Sequence, residues 1–270
     1  HLKYFFQTCI IFGILFHFLL AFDAGYWQQD VHYTMNVTLI PETHEIKGIS
    51  HIVYVNNSPD SLDQIYMHLY PNAFQEGSVK YREYQQNYGR LGRIGSMLKD
   101  ITPYEAGILI HSFKISMGGN HFSESFEIED TILEAVLPKS LSSDDSLIIE
   151  IEWTHHVGEQ IERAGYVGDQ YNAAQWYPKL VVYDEDGWHN DPFHAEGEFY
   201  GEFGTFDVTL DLPEKYIVGA TGVVTLGDPG WGSVKVDTSQ KFDEWLKEFQ
   251  NNKTEPDSSA HRVVSFHAEK

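Results

Sequence analysis

From Tyr33 to Leu39 the apolar side chains of Tyr33, Met35, Val37 and Leu39 alternate with the polar ones of Thr34, Asn36 and Thr38. A period of two puts all the apolar groups on one side of an extended chain, so HYTMNVTLI predicts a half-buried strand. The turn-like PETHE follows, then a second alternating run IKGISHIVYV, the turn NNSPDS, and a third run LDQIYMHLY. Further strand signals are GILIHSFKIS, ESFEIEDTILEAVL, SLIIEIEW, FGTFDVTLDL, YIVGATGVVTL and HRVVSFHAE. Nearly all the connections carry Gly, Pro, Asn, Asp or Ser. Many short strands joined this way predict an all-β fold, an antiparallel β-sandwich or a curved pair of sheets.

Three segments break the alternation. Residues 78–99 hold Lys80, Arg82, Arg90, Arg93 and Lys99, five of the eighteen Lys and Arg residues, and read as a long loop with some helix. Residues 239–251 place Phe242, Trp245, Leu246 and Phe249 on one helical face, with Ser239 as the cap, and predict one short inserted amphipathic helix. Residues 1–24 are expected to form an apolar leader helix, with Lys3 ahead of the run from Cys9 to Phe22. The leader resembles a signal peptide with a poor cleavage site, since Phe22 stands where a small residue is expected. A membrane anchor is the alternative, because Tyr4 to Phe22 almost reaches the ~20 residues that span a bilayer. A buried core helix is the plainest alternative. The chain is therefore expected to be exported, either secreted or periplasmic, or held at a membrane. It opens on His1 rather than Met, and a longer beginning is expected.

The composition is globular, with 42% hydrophobic and 14% aromatic residues among 270. A net charge of −22 argues against a nucleic-acid partner, which needs a basic face. It fits a solvated surface, or one that attracts cations. A single cysteine, Cys9, excludes an intrachain disulfide. Asn36, Asn56 and Asn252 open glycosylation-type triplets, which imply surface exposure and nothing more.

The candidate chemistry is sparse. His44-Glu45 begins like a zincin helix, but Gly48 stands where H-E-x-x-H needs its second His, and the segment reads as a turn running into a strand. Its histidines, His44 and His51, are expected to face solvent. His155 and His156 are neighbours on a strand signal and point to opposite faces, a poor joint ligand pair that fits a loop edge. His189 and His194 lie among Asp184, Asp186, Asp191 and Glu196, in a stretch from Val181 to Glu214 with ten acids and no Lys or Arg. Oxygen-rich loops can hold calcium, and His with carboxylate can hold zinc, yet the spacing matches neither an EF-hand nor a known zinc module. No metal site is expected in this chain. No G-x-S-x-G elbow and no phosphate-cradling Gly-rich loop occurs. Carboxylates are too abundant to single out a glycosidase pair.

Read in order, the residues resemble a family. The series YTMNVTLIPETHEIKGISHIVYVNNSPDSLDQIYMHLYPNAF, then AAQWYPKLVVYDEDGW with GEFYGEFG, then FDVTLDLPEKYIVGATG and HRVVSFHAEK, is similar to the N-terminal part of the aminopeptidase N and leukotriene hydrolase family, the gluzincin zinc metallopeptidases, in its bacterial branch. The resemblance covers roughly residues 26 to 270, within a β domain expected over 25–270, and the ordered series carries it rather than any one motif. It implies a saddle-shaped, largely antiparallel β domain. It also implies that zinc sits on H-E-x-x-H in a following thermolysin-like domain, whose motifs this chain lacks. No catalytic residue is then expected here, and the chain alone would be inactive. One role carries over: Gln175 in NAAQWYP matches the residue that accepts a hydrogen bond from the free α-amine of a peptide substrate.

A different reading stays open. The chain could be a stand-alone β-sandwich binding module, for carbohydrate or a protein ligand, using Trp176, Trp188 and Tyr200. That requires the three rings to be exposed and roughly coplanar, whereas the peptidase reading requires them largely buried behind Gln175.

Overall fold

The computed structural model describes residues 26–87, 107–123, 125–159, 163–233, 244 and 260–270. The expected leader helix at 1–24 and the expected inserted helix at 239–251 lie outside these residues, Glu244 apart. In chain order the elements are β1 (Asp30–Ile40), β2 (Glu45–Val55), β3 (Leu62–His68), a 3-10 turn (Tyr70–Phe74) and α1 (Val79–Asn87). Then come β4 (Gly107–Met117), β5 (Asn120–Ser123), β6 (Phe126–Glu129), β7 (Ile132–Leu141) and β8 (Ser146–His156). The hairpin β9 (Gly165–Val167) and β10 (Gln170–Asn172) leads into β11 (Lys179–Leu180), β12 (Tyr183–Asp184) and β13 (Gly187–Trp188). The last three are β14 (Thr205–Pro213), β15 (Val223–Leu226) and β16 (His261–Ala268). No described helix is long and apolar enough to cross a membrane.

The all-β, largely antiparallel expectation holds. An eight-stranded sheet runs β15-β16-β14-β1-β2-β8-β4-β5, and a four-stranded sheet runs β11-β3-β7-β6. The pairing of β1 with β14 is parallel. Alternation sorts the faces: Tyr33, Met35, Ile52, Tyr54, Ile149, Ile151 and Trp153 from the large sheet and Ile65, Met67, Leu133 and Leu141 from the small one share one core. At about 25 cal/mol per Å² of buried apolar area, this shared face is the main stabilising term.

Two strand expectations are corrected. ESFEIEDTILEAVL is two strands, because Asp130 takes a left-handed backbone (φ 57°) and turns the chain between β6 and β7. YIVGATGVVTL is strand only over Val223–Leu226; the irregular backbone at residues 216–220 and the bend at 221–222, with Gly222 at φ 95°, are incompatible with a ladder. The 78–99 segment yields a helix, α1, as expected in part. Ser78 Oγ accepts the Tyr81 N–H at 3.1 Å and Asp130 Oδ2 accepts the Val79 N–H at 2.7 Å, so two of the orphan donors of the first turn are met by side chains.

The exposure expected of the glycosylation-type asparagines holds for Asn36 but fails for Asn56, which is wholly buried. Asn56 Oδ1 accepts from Gln29 Nε2, Ser58 N and Ser58 Oγ, while its Nδ2 donates to the Asp60 and Leu141 carbonyls. It therefore ties the start of the chain to the β2–β3 and β7–β8 ends. Asn56→Ala leaves these groups buried without partners, and the expected cost is about 1–3 kcal/mol. A urea midpoint unchanged from the parent chain would contradict this.

Candidate functional site

A cleft of about 730 Å³ opens where the 3-10 turn, α1, the end of β8, and the loops around Gln175 and residues 189–200 meet. Local sequence explains each wall. Pro71 fixes the start of the 3-10 turn, and Asn72 braces it by donating to the Asp130 carbonyl and accepting the Ile108 N–H at 2.8 Å. The irregular 189–200 loop lacks a ladder and is pinned from outside: Phe193 N–H bonds Thr131 Oγ1 at 2.8 Å, and Ala195 N–H bonds Glu83 Oε2 at 2.8 Å. His194 Nδ1 lies 2.7 Å from the other Glu83 oxygen. The Ala195 bond, with help from His194, holds the Glu83 carboxyl below its ordinary range.

Inside the cleft, the Tyr70 ring meets Phe199 edge-on at 4.8 Å and Phe193 at 5.8 Å. The buried Lys80 places Nζ 3.7 Å from the centre of the Phe74 ring and 4.9 Å from that of Phe193. His68 and His155 also line the cleft, only 4% and 5% exposed, and each keeps an Nδ1 without a hydrogen-bond partner. Burial pushes both imidazoles down to about 4, with the charge of Lys179 adding to the effect at His68. At His155 a hydrogen bond with the Trp176 backbone works against that fall.

Gln175 lies on this wall. It is half-buried, has a left-handed backbone (φ 53°), and its side chain forms no hydrogen bond to another described residue. Behind it, Trp176 packs edge-on against the core Trp153 at 5.8 Å and against Tyr177 at 5.4 Å.

The histidine expectations divide. His155 and His156 do point to opposite faces, but they end β8 rather than sit on a loop edge; His155 is buried and His156 faces Glu45 at 3.5 Å. His51 is exposed, whereas His44 is not simply solvent-facing: the β9–β10 hairpin folds over it, with Tyr166 stacked at 3.6 Å and Tyr171 OH 2.6 Å from Nδ1. That engagement, and Gly48 on a strand, leave this segment unfit for zinc. His189 and His194 are pulled apart: His189 pairs with Asp184 at 2.7 Å, which also accepts from Tyr200 OH, and His194 pairs with Glu83. Among the described residues, no three His, Cys, Asp or Glu side chains are gathered as a metal set.

The aromatic triad is not a platform. Trp176 and Trp188 are half-buried against the core, Trp188 edge-on to Tyr66, while Tyr200 is exposed at the cleft. Sequence reading passed over His68, Tyr70, Lys80, Phe193 and Phe199. The one signal available was the crowding of aromatics in YPNAF and DPFHAEGEFYGEF.

No family model and no curated protein sequence matches the chain. Solved structures do resemble it. A two-domain M1 zinc metallopeptidase mutant bound to L-arginine is 11% identical, with a TM-score of 0.44, over 90% of this chain and 40% of that one. The M1 zinc metallopeptidase from Deinococcus radiodurans is 12% identical, with a TM-score of 0.43, over 90% and 39%. A mutant of the latter bound to a Tyr-Ser-Ala substrate gives 11% and 0.42. The chain spans about 40% of the length of these proteins.

Proposed function

We propose that this chain is the non-catalytic N-terminal β domain of a zinc-dependent, aminopeptidase-like metallopeptidase, exported or membrane-attached through residues 1–24. In this reading Gln175 accepts a hydrogen bond from the α-amine of a peptide substrate, and zinc and hydrolysis belong to a thermolysin-like partner domain. The single observation that supports it best is the state of Gln175. A non-glycine residue at φ 53° is held in a sparsely populated conformation, as residues at working sites often are. Its half-buried amide oxygen has no described partner, so it is available to an ammonium donor.

A charge-assisted bond contributes about 1.5–3 kcal/mol. In the full-length enzyme, Gln175→Ala is therefore expected to lower kcat/KM roughly ten- to hundredfold while bound zinc stays constant, and Gln175→Glu to restore most of it. Unchanged peptide kinetics in Gln175→Ala would reject the role. The isolated chain is expected to show no chelator-sensitive aminopeptidase activity, and finding such activity would overturn the domain assignment.

A further inference from the structure

His44, the histidine of the zincin-like start in THEIKGISH, sits in the turn between β1 and β2 with a left-handed backbone (φ 52°). Its ring lies against the hairpin of β9 and β10, which is a sheet of its own with three residue pairs, Gln170–Val167, Tyr171–Tyr166 and Asn172–Gly165. A two-stranded ribbon this short is at best marginally stable in water, so its position depends on what it packs against. Directly opposed residues of an antiparallel pair share a face, and Tyr166 and Tyr171 are such a pair. Both meet His44: Tyr166 stacks on the imidazole, with 3.6 Å between ring centres and 6° between planes, and Tyr171 OH is 2.6 Å from Nδ1. The backbone joins the same group of segments, since the His44 carbonyl accepts the Val157 N–H at 2.8 Å and the Gly158 carbonyl accepts the Tyr166 N–H at 2.9 Å. Tyr216 meets Tyr171 edge-on at 5.8 Å, and at the hairpin's tip the solvent-exposed Lys215–Asp169 pair adds little.

Gln175 follows β10 after two connecting residues, Ala173 and Ala174. On its other side the chain is already held: the Trp176 backbone bonds His155, and the Trp176 ring packs on Trp153. The approach to Gln175 is therefore set by the hairpin. We propose that His44 is a positioning residue for Gln175: by clamping Tyr166 and Tyr171 it fixes the hairpin, and the hairpin fixes where the Gln175 amide stands in the cleft. The inference rests on the amine role of Gln175 and adds the group that keeps that amide in place. His44 itself does not line the cleft, so its effect passes through the two tyrosines and the short link to Gln175.

The test breaks the clamp from both sides. His44→Asn removes the stacked ring and keeps a residue type that accepts a left-handed backbone, and Tyr171→Phe removes only the hydroxyl. In the 270-residue chain, the amide resonances of Gln175, identified with Gln175→Ala, are expected to shift in both variants. Hydrogen exchange across residues 165–172 should quicken at least roughly fivefold while that of β7 stays as it was. In the full-length enzyme each variant should lower kcat/KM roughly fivefold, and neither should lower it further in a Gln175→Ala background, because a residue that works through Gln175 loses its effect once that amide is gone. A merely structural role would cost the same in both backgrounds. Unmoved Gln175 resonances, unchanged hairpin exchange, or kinetic costs that multiply overturn the positioning role. Unchanged kinetics in Gln175→Ala reject the amine role instead, and the resonances and exchange of the isolated chain then decide the clamp by themselves.

Discussion

Acidifying the chain from pH 7 to pH 5 is expected to cost roughly 4 kcal/mol of folding stability through two histidines. His68 and His155 are nearly fully buried, and burial carries each from an ordinary 6.5 down to about 4. The folded state then holds both imidazoles neutral while the unfolded chain binds protons from pH 6.5 downward. Because the folded value is the lower one, stability is fully present above pH 6.5 and is lost as pH falls towards 4. Proton linkage sets the loss at roughly 2 kcal/mol per histidine at pH 5 and about 3 at pH 4. His267 acts in the opposite direction, since bonds from Asp207 and then Glu269 raise it, but it lies on the surface where solvent and salt screen it. Urea unfolding at pH 7, 6 and 5 measures the slope, and His155→Phe should flatten about half of it. A slope that is the same in His155→Phe would show that His155 is not a neutral buried group.

The strands that build the shared core were legible because one periodicity governs both sequence and burial. Tyr33, Met35 and Val37 alternate with exposed neighbours in β1, and Ile149, Ile151 and Trp153 flank the exposed Glu150 and Glu152 in β8, as the residue pattern required. The cleft was not legible in the same way. His68, Tyr70, Phe193 and Phe199 meet across more than a hundred residues through a 3-10 turn and a loop with no ladder, where no period relates position to face. Adjacency told that His155 and His156 diverge, yet not which of them is buried, since that depends on the packing of Trp176 and the 189–200 loop. The parallel pairing of β1 with β14 was equally silent, because alternation fixes a strand's faces and not its neighbour. Gln175 was reached only through the ordered resemblance; its left-handed backbone follows from no local residue preference.

Trp153→Ala is expected to be the most damaging single substitution beneath the site, at about 3–5 kcal/mol. The indole is 1% exposed, and its Nε1 donates to Ser50 Oγ at 2.9 Å, so truncation opens a cavity and strands a buried hydroxyl. The space for the ring comes from Gly48, its partner in the β2–β8 register: a Cβ there would lie 2.2 Å from Trp153 Cζ2. The glycine is thus required by close approach, not by its backbone angles, and Gly48→Ala should cost about 1–3 kcal/mol by overpacking. The two changes touch one volume, so they should not add. With the indole gone, the methyl of Gly48→Ala fills part of the void, and the double variant should be more stable than the sum of the single costs allows, by about 1 kcal/mol or more. Urea midpoints with a constant m value report this coupling directly, and strictly additive costs would show that Gly48 and Trp153 do not share the space. The same indole backs Trp176, the residue next to Gln175. Trp153→Phe, which keeps a ring but loses the Ser50 bond, should therefore cost less stability than Trp153→Ala.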